Sequence, residues 1–291
     1  MKDIRELLQT RPLLFDGAMG TYYKAAPGVE CEQANLTDPA GVLAVHREYL
    51  AAGADAVKTN TFSLPRLAAA HAPGWEQLAQ AGWQLAVQAA GETGAAVFAD
   101  LGPAPDTEAV PAGQVYTAVA KQFAVLGARN FLFETLSSDA GLLDAVGAIK
   151  RKCRMPLCWC PSRSCPTATP GRHVLQRPCP ADAGKRHRGC RGPELRVGTR
   201  CHAHAGKAAG GHAAPVGHAQ RGLSHCHPDA GEVSGRPEYF ARELGRLAAE
   251  GTVRILGGCC GTTPAHIAAL RAELDTCPWW KKTAPAEEFP P

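Results

Sequence analysis

Two cysteines stand side by side near the end of this 291-residue chain, in Gly257-Gly258-Cys259-Cys260-Gly261-Thr262-Thr263-Pro264. Zinc takes thiolate ligands in tetrahedral geometry, and a catalytic site keeps one position open. Neighbours in a regular strand point to opposite faces, so a metal shared by Cys259 and Cys260 needs the backbone to turn. Gly257, Gly258 and Gly261 permit that turn. Two other uses stay open at this level: a pair of buried apolar thiols, and a strained vicinal disulfide. Two carboxylates follow apolar runs, Asp16 in "FDGAMGT" and Glu134 in "FETL". Each could receive the amino group of a small substrate, cap a helix or close a salt bridge. Gly17 would let the main chain approach a ligand, while Asn60, Thr61 and Thr262 could touch one or cap turns.

These residues need elements to carry them. Leu13 to Phe15, Ala56 to Thr59, Ala95 to Ala99 and Asn130 to Phe133 read as short buried strands, each ending in polar or glycine-rich residues. Helical spacing fills the intervals at Pro39 to Gly53, with Asp38 as its N-cap, at Trp75 to Ala90 and at Thr117 to Leu126. Strand and helix in alternation predict parallel strands with right-handed crossovers. In a closed β/α barrel, chemistry gathers at the C-terminal rim, and the endings "FDGAMGT", "KTNTF", "ADLGP", "FETL" and "ILGGCCGTTP" would share that rim.

No apolar run approaches the roughly 18 residues that span a bilayer, and the start, Met1-Lys2-Asp3-Ile4-Arg5-Glu6, is charged. A soluble cytoplasmic protein without a membrane partner is the expectation. There, twelve cysteines point to metal binding or catalysis rather than to a disulfide scaffold.

The middle of the chain is different in kind. From Cys158 to His227 there is no Ile, Phe, Met or Tyr, yet seven of the twelve cysteines and eight of the eleven histidines lie there. Between Lys150 and Arg221, fifteen lysines and arginines face two acids, Asp182 and Glu194, so the remainder of a chain of net charge +4 is acidic. Such a stretch has little to bury and reads as a disordered basic segment. A non-enzymatic protein binding nucleic acid through residues 150–221 is one alternative it raises. Its only large aromatic, Trp159, serves base stacking poorly and argues against that partner. Its Cys and His spacings match no structural zinc module.

The motifs "LLFDGAMGTYY", "AGADAVKTNTF", "FETLSS", "RPEYFA" and "VRILGGCCGTTPAHI" resemble the homocysteine S-methyltransferase family over about residues 10–156 and 235–275. The opening and "GRPEYFA" look most like the methyltransferase half of bacterial fusions with a methylenetetrahydrofolate reductase. The resemblance implies a (β/α)8 TIM barrel over residues 1–275, followed by a tail at 276–291. It also implies a zinc cofactor on Cys259 and Cys260, and homocysteine contacts at Asp16, Gly17, Asn60 and Glu134. The implied reaction moves a methyl group to the zinc-bound thiolate of homocysteine, giving methionine. Methyltetrahydrofolate, methylcobalamin, S-methylmethionine and betaine all serve relatives as donors.

Relatives bring a third zinc cysteine from a Gly-x-Asn-Cys stretch, and this chain has none. Codon degeneracy offers a reason. Regrouping the bases that can encode Cys160 to Gly171 permits Ser-Phe-Ala-Val-Leu-Pro-Asp-Gly-Tyr-Thr-Arg, a fifth strand and its loop. A second frame from Gly189 to Arg200 permits Asp-Val-Val-Gly-Leu-Asn-Cys-Val-Ser-Gly-Pro, with Asn-Cys falling across Glu194, Leu195 and Arg196. The same frame at His218 to Leu223 permits Met-Pro-Asn-Ala-Gly. Residues 158–232 are therefore read as out of frame, with shifts near Leu157, Arg172 and Glu232. The printed chain is then expected to lack strands five to seven and one zinc thiolate, to fold poorly and to have little activity. An inactive pseudogene product is the remaining alternative.

Overall fold

The structure is a computed structural model that describes residues 4–25, 29–136, 141–152, 157–159, 236–249, 253 and 255–276. Nearly all of residues 158–232, expected to be out of frame, and the tail after Thr276 lie outside the described residues. The fold is α/β with parallel strands. β1 (Leu13–Leu14) pairs with β6 (Ile255–Leu256), and β2 (Ala56–Lys58), β3 (Ala96–Leu101), β4 (Asn130–Phe133) and β5 (Leu157–Trp159) pair in that order. A parallel bridge between Phe15 and Ala56 joins the two sheets, so the strands run β6-β1-β2-β3-β4-β5. The first and last strands of the chain are thus neighbours, and all others stand in sequence order. Among the described residues this wall does not close into a ring.

One expectation needs correction. A fifth strand was to be lost from the printed frame, but Leu157–Trp159 pairs with β4, Asn130 opposite Leu157 and Leu132 opposite Trp159. The apolar "LCW" run straddles the start of the compositional break and has enough β-propensity to extend the sheet.

The helices form where spacing and caps direct them. Pro39–Ala51 begins at Asp38, whose carboxylate accepts the Gly41 N–H at 3.0 Å, with proline in the first turn where no N–H is needed. Trp75–Thr93 runs three residues beyond its predicted end and stops at Gly94, whose φ of 75° suits glycine. Ala112–Val125 starts five residues earlier than its periodicity suggests, after Pro111.

Strands buried on both faces explain the absence of polar alternation in the sequence. Leu13, Phe15, Ala56, Ala96, Phe98, Leu132 and Ile255 share one face, over which Ile4 and Leu8 of the first helix close. On the other face Val57, Val97, Ala99, Phe131 and Phe133 meet Trp83, Tyr116, Val119 and Phe123 from the helices. Each large apolar side chain so buried stabilises the fold by roughly 1.5–3 kcal/mol. Beneath the wall, Asp55 is held by both terminal ends of the domain: the Arg11 guanidinium binds it in two-pronged fashion, and Arg271 Nη1 lies 3.5 Å away.

Candidate active site at the strand ends

Strand periodicity decides which side chains reach the site. Successive residues alternate faces, so the order that turns Ala56, Phe98 and Leu132 to the inner face turns Lys58, Asp100 and Glu134 there too, one pleat further along. Asp16 follows β1 and is 3% exposed. Its Oδ2 accepts the Lys58 backbone N–H at 2.9 Å, and its own N–H donates to Ala56 O at 3.0 Å, so it is clamped to β2 from both sides. Lys58 Nζ lies 3.8 Å from Asp16 Oδ1, 3.6 Å from Glu134 Oε2 and 3.3 Å from the Gly258 carbonyl.

This end of the site is strongly acidic. Burial pushes the Asp16 carboxyl up to about 7, against the opposing pull of Lys58. Asp100 is raised well above the usual carboxylate range, by burial first and then by Glu134. Burial alone would lower Lys58, but Glu134, Asp16, Cys259 and Asp100 outweigh it and hold the ammonium charged. Asp16 Oδ1 and Asp100 Oδ1 accept no hydrogen bond.

The thiol end is the loop after β6. Gly258 N–H donates to Asp16 O at 2.9 Å, Gly261 N–H to Thr21 Oγ1 at 2.9 Å, and Ala18 N–H to Thr262 Oγ1 at 3.1 Å. The Tyr49 hydroxyl lies 2.8 Å from Ala18 O and 2.9 Å from Thr262 O, and shares its one proton between them. A Cβ on Gly17 would stand 2.7 Å from both Thr262 Oγ1 and the Tyr49 ring, and one on Gly258 would stand 2.2 Å from Thr262 Oγ1. Glycine is therefore required at both positions so that the two loops can touch. Gly17 thus has a packing reason besides the ligand approach expected of it.

The turn brings the Cys259 and Cys260 sulfurs to 3.9 Å. Two sulfurs each about 2.3 Å from one tetrahedral zinc would be about 3.8 Å apart, so the pair fits two of its ligands. Cys259 Sγ donates to Cys260 Sγ; that hydrogen bond pulls the Cys260 thiol down to about 6, while Cys259 is held protonated. Among the described residues no group of three His, Cys, Asp or Glu side chains completes a shell.

The remaining sequence candidates lie nearby but are engaged otherwise. Asn60 is buried, and its amide donates to Cys31 O and to Asn35 Oδ1, both at 2.9 Å. Thr61 Oγ1 donates to Asp100 O at 2.9 Å and lies 2.5 Å from Thr59 Oγ1, which receives the Asp100 N–H. These bonds brace the ends of β2 and β3. Sequence reasoning overlooked Lys58 and Tyr49. An inward-facing lysine at a strand end was the available signal for the first, whereas Tyr49 sits on an ordinary helical core position.

With this geometry in view, the family model for homocysteine S-methyltransferase matches residues 13–274. The chain belongs to that family. Methionine synthase of Mycobacterium tuberculosis is 29% identical over an alignment of 325 residues, which covers 94% of this chain and 25% of that protein. The chain thus spans about a quarter of the length of this relative. Among solved structures, the metallated form of the Escherichia coli homocysteine methyltransferase MmuM superposes with a TM-score of 0.56 at 17% identity, covering 92% of this chain and 99% of that one. Its oxidized form gives 0.54 at 18% identity, over 94% and 99%. At such identities the likeness concerns the fold. Among the described residues no helix is long and apolar enough to cross a membrane.

Proposed function

We propose that this chain carries the site of a homocysteine S-methyltransferase, built on a (β/α)8 barrel and forming methionine, with one part of its metal shell missing from the printed frame. The observation that carries the reading is the meeting, at one set of strand ends, of an acidic pair with a lysine and a two-sulfur loop: Gly258 is bonded to Asp16 O and to Lys58 Nζ, and Cys259 is the next residue. Asp16 and Glu134 receive the substrate ammonium. Gly17 and Asn60 shape the floor beside it. Cys259 and Cys260 would hold zinc, which when bound supplies a Lewis acid that makes a substrate thiol, with a free pKa of roughly 8.5, nucleophilic at neutral pH.

The third thiolate belongs to the Asn-Cys that a second reading frame permits across Glu194, Leu195 and Arg196. The test compares the 291-residue chain with one in which residues 158–232 are restored to that succession of frames. The restored chain is expected to bind one zinc and form methionine from homocysteine, and the printed chain to hold zinc weakly and form none. Equimolar, tightly held zinc together with methionine formation by the printed chain would overturn the frame reading. Failure of the restored chain with every donor class would overturn the activity.

A further inference from the structure

Lys58 ends β2 with its side chain 11% exposed, facing two carboxylates that it does not satisfy. Its distances of 3.6 Å to Glu134 and 3.8 Å to Asp16 exceed hydrogen-bond length, and its hydrogen bond goes to Gly258 O. Asp16 and Asp100, 3% and 4% exposed, each keep an oxygen without a donor. Three acidic side chains therefore face one ammonium, and the unused oxygen of Asp16 can accept from a second cation. A ligand ammonium, with three N–H donors, meets that need. In an α-amino acid the carboxylate sits one carbon from that ammonium, so seating the ammonium between Asp16 and Glu134 brings the carboxylate into reach of Nζ.

We propose that Lys58 is a specificity-determining residue that pairs with the α-carboxylate of the bound amino acid, so that the site selects the zwitterion over a simple amine or acid. This rests on the reading of Asp16 and Glu134 as the ammonium contacts. The bond from Nζ to Gly258 O then aligns the amino-acid end of the ligand with the loop that carries Cys259 and Cys260.

The test is calorimetric binding of three thioethers, which need no metal, to the full-length metal-free chain: methionine, 3-(methylthio)propylamine, which lacks the carboxylate, and 4-(methylthio)butanoate, which lacks the amine. Lys58→Met is expected to weaken methionine and the acid about tenfold to a hundredfold, as for a lost charge-assisted hydrogen bond, and to leave the amine within about twofold. Lys58→Arg is expected to keep the preference, and Lys58→Gln to repeat the Lys58→Met pattern should that variant not fold. Tighter binding of the amine by Lys58→Met would mean that Nζ competes for the ammonium seat, and an equal loss for all three ligands would mean that Lys58 only holds the structure. Either result overturns the proposal. No binding of any of the three by the wild-type chain would overturn the ammonium-site reading itself, a different failure.

Discussion

The two ends of the site are built on different terms. The carboxylate end draws Asp16, Lys58, Asp100 and Glu134 from the ends of β1, β2, β3 and β4, which are consecutive neighbours in the wall. The thiol end draws both its sulfurs from one loop after β6, locked to the carboxylate end through Asp16, Ala18, Thr21 and Tyr49. On the proposed reading, damage to the middle of the chain would leave the first end whole and remove a metal ligand from the second. Ligand recognition and metal retention should then be separable by experiment.

The sharpest way to test that separation is at the sulfurs. Cys259→Ser is expected to weaken zinc by at least about a hundredfold in competition with a chromophoric chelator, since a thiolate ligand is removed outright, while methionine affinity changes little. Glu134→Gln should act in reverse, lowering methionine affinity about tenfold or more with zinc uptake unchanged.

Stability experiments probe how far the acidic end is under strain. The folded pKa of Asp16, about 7, lies above the ordinary 3.8, so the folded chain binds that proton more tightly than the unfolded chain does. Ionisation then destabilises the fold progressively as pH rises from about 4 to 7. Asp16→Asn, which cannot ionise, is expected to raise the urea midpoint at pH 8 by an amount equivalent to about 2–4 kcal/mol, and by much less at pH 4. Such a gain, joined to lost ligand affinity, would mark Asp16 as kept for binding rather than for stability. A smaller loss is expected from Gly17→Ala, whose new methyl meets Tyr49 and Thr262: about 1–3 kcal/mol by chemical denaturation, with zinc and ligand affinity both reduced because the two ends share that contact.

Much of this was legible in the residues. Asn130 to Phe133 is a strand with the predicted bounds, and Asp38 caps the helix it was expected to cap. The "GGCCGTTP" loop carried its own geometry, because glycines on either side of adjacent cysteines leave the backbone free to turn both sulfurs one way. Other features were not local. The Asn60 amide joins Asn35 and Cys31 on a neighbouring segment, a pairing with no signature in the residues around Asn60. Helix ends slipped by a few residues where packing against the wall, as at Ala112, extended what periodicity alone supported.

By itself the sequence determined the element order, the pairing of two cysteines in a glycine-flanked loop and the unusual composition of residues 158–227, because each depends on neighbouring residues or on composition. Only the tertiary structure decided that Lys58 faces Asp16 and Glu134, that Gly17 and Gly258 touch through Thr262, and that β1 lies beside β6. Those facts join residues some 40 to 240 positions apart. They exist because parallel strands buried on both faces leave each inward side chain at the rim only one another to meet.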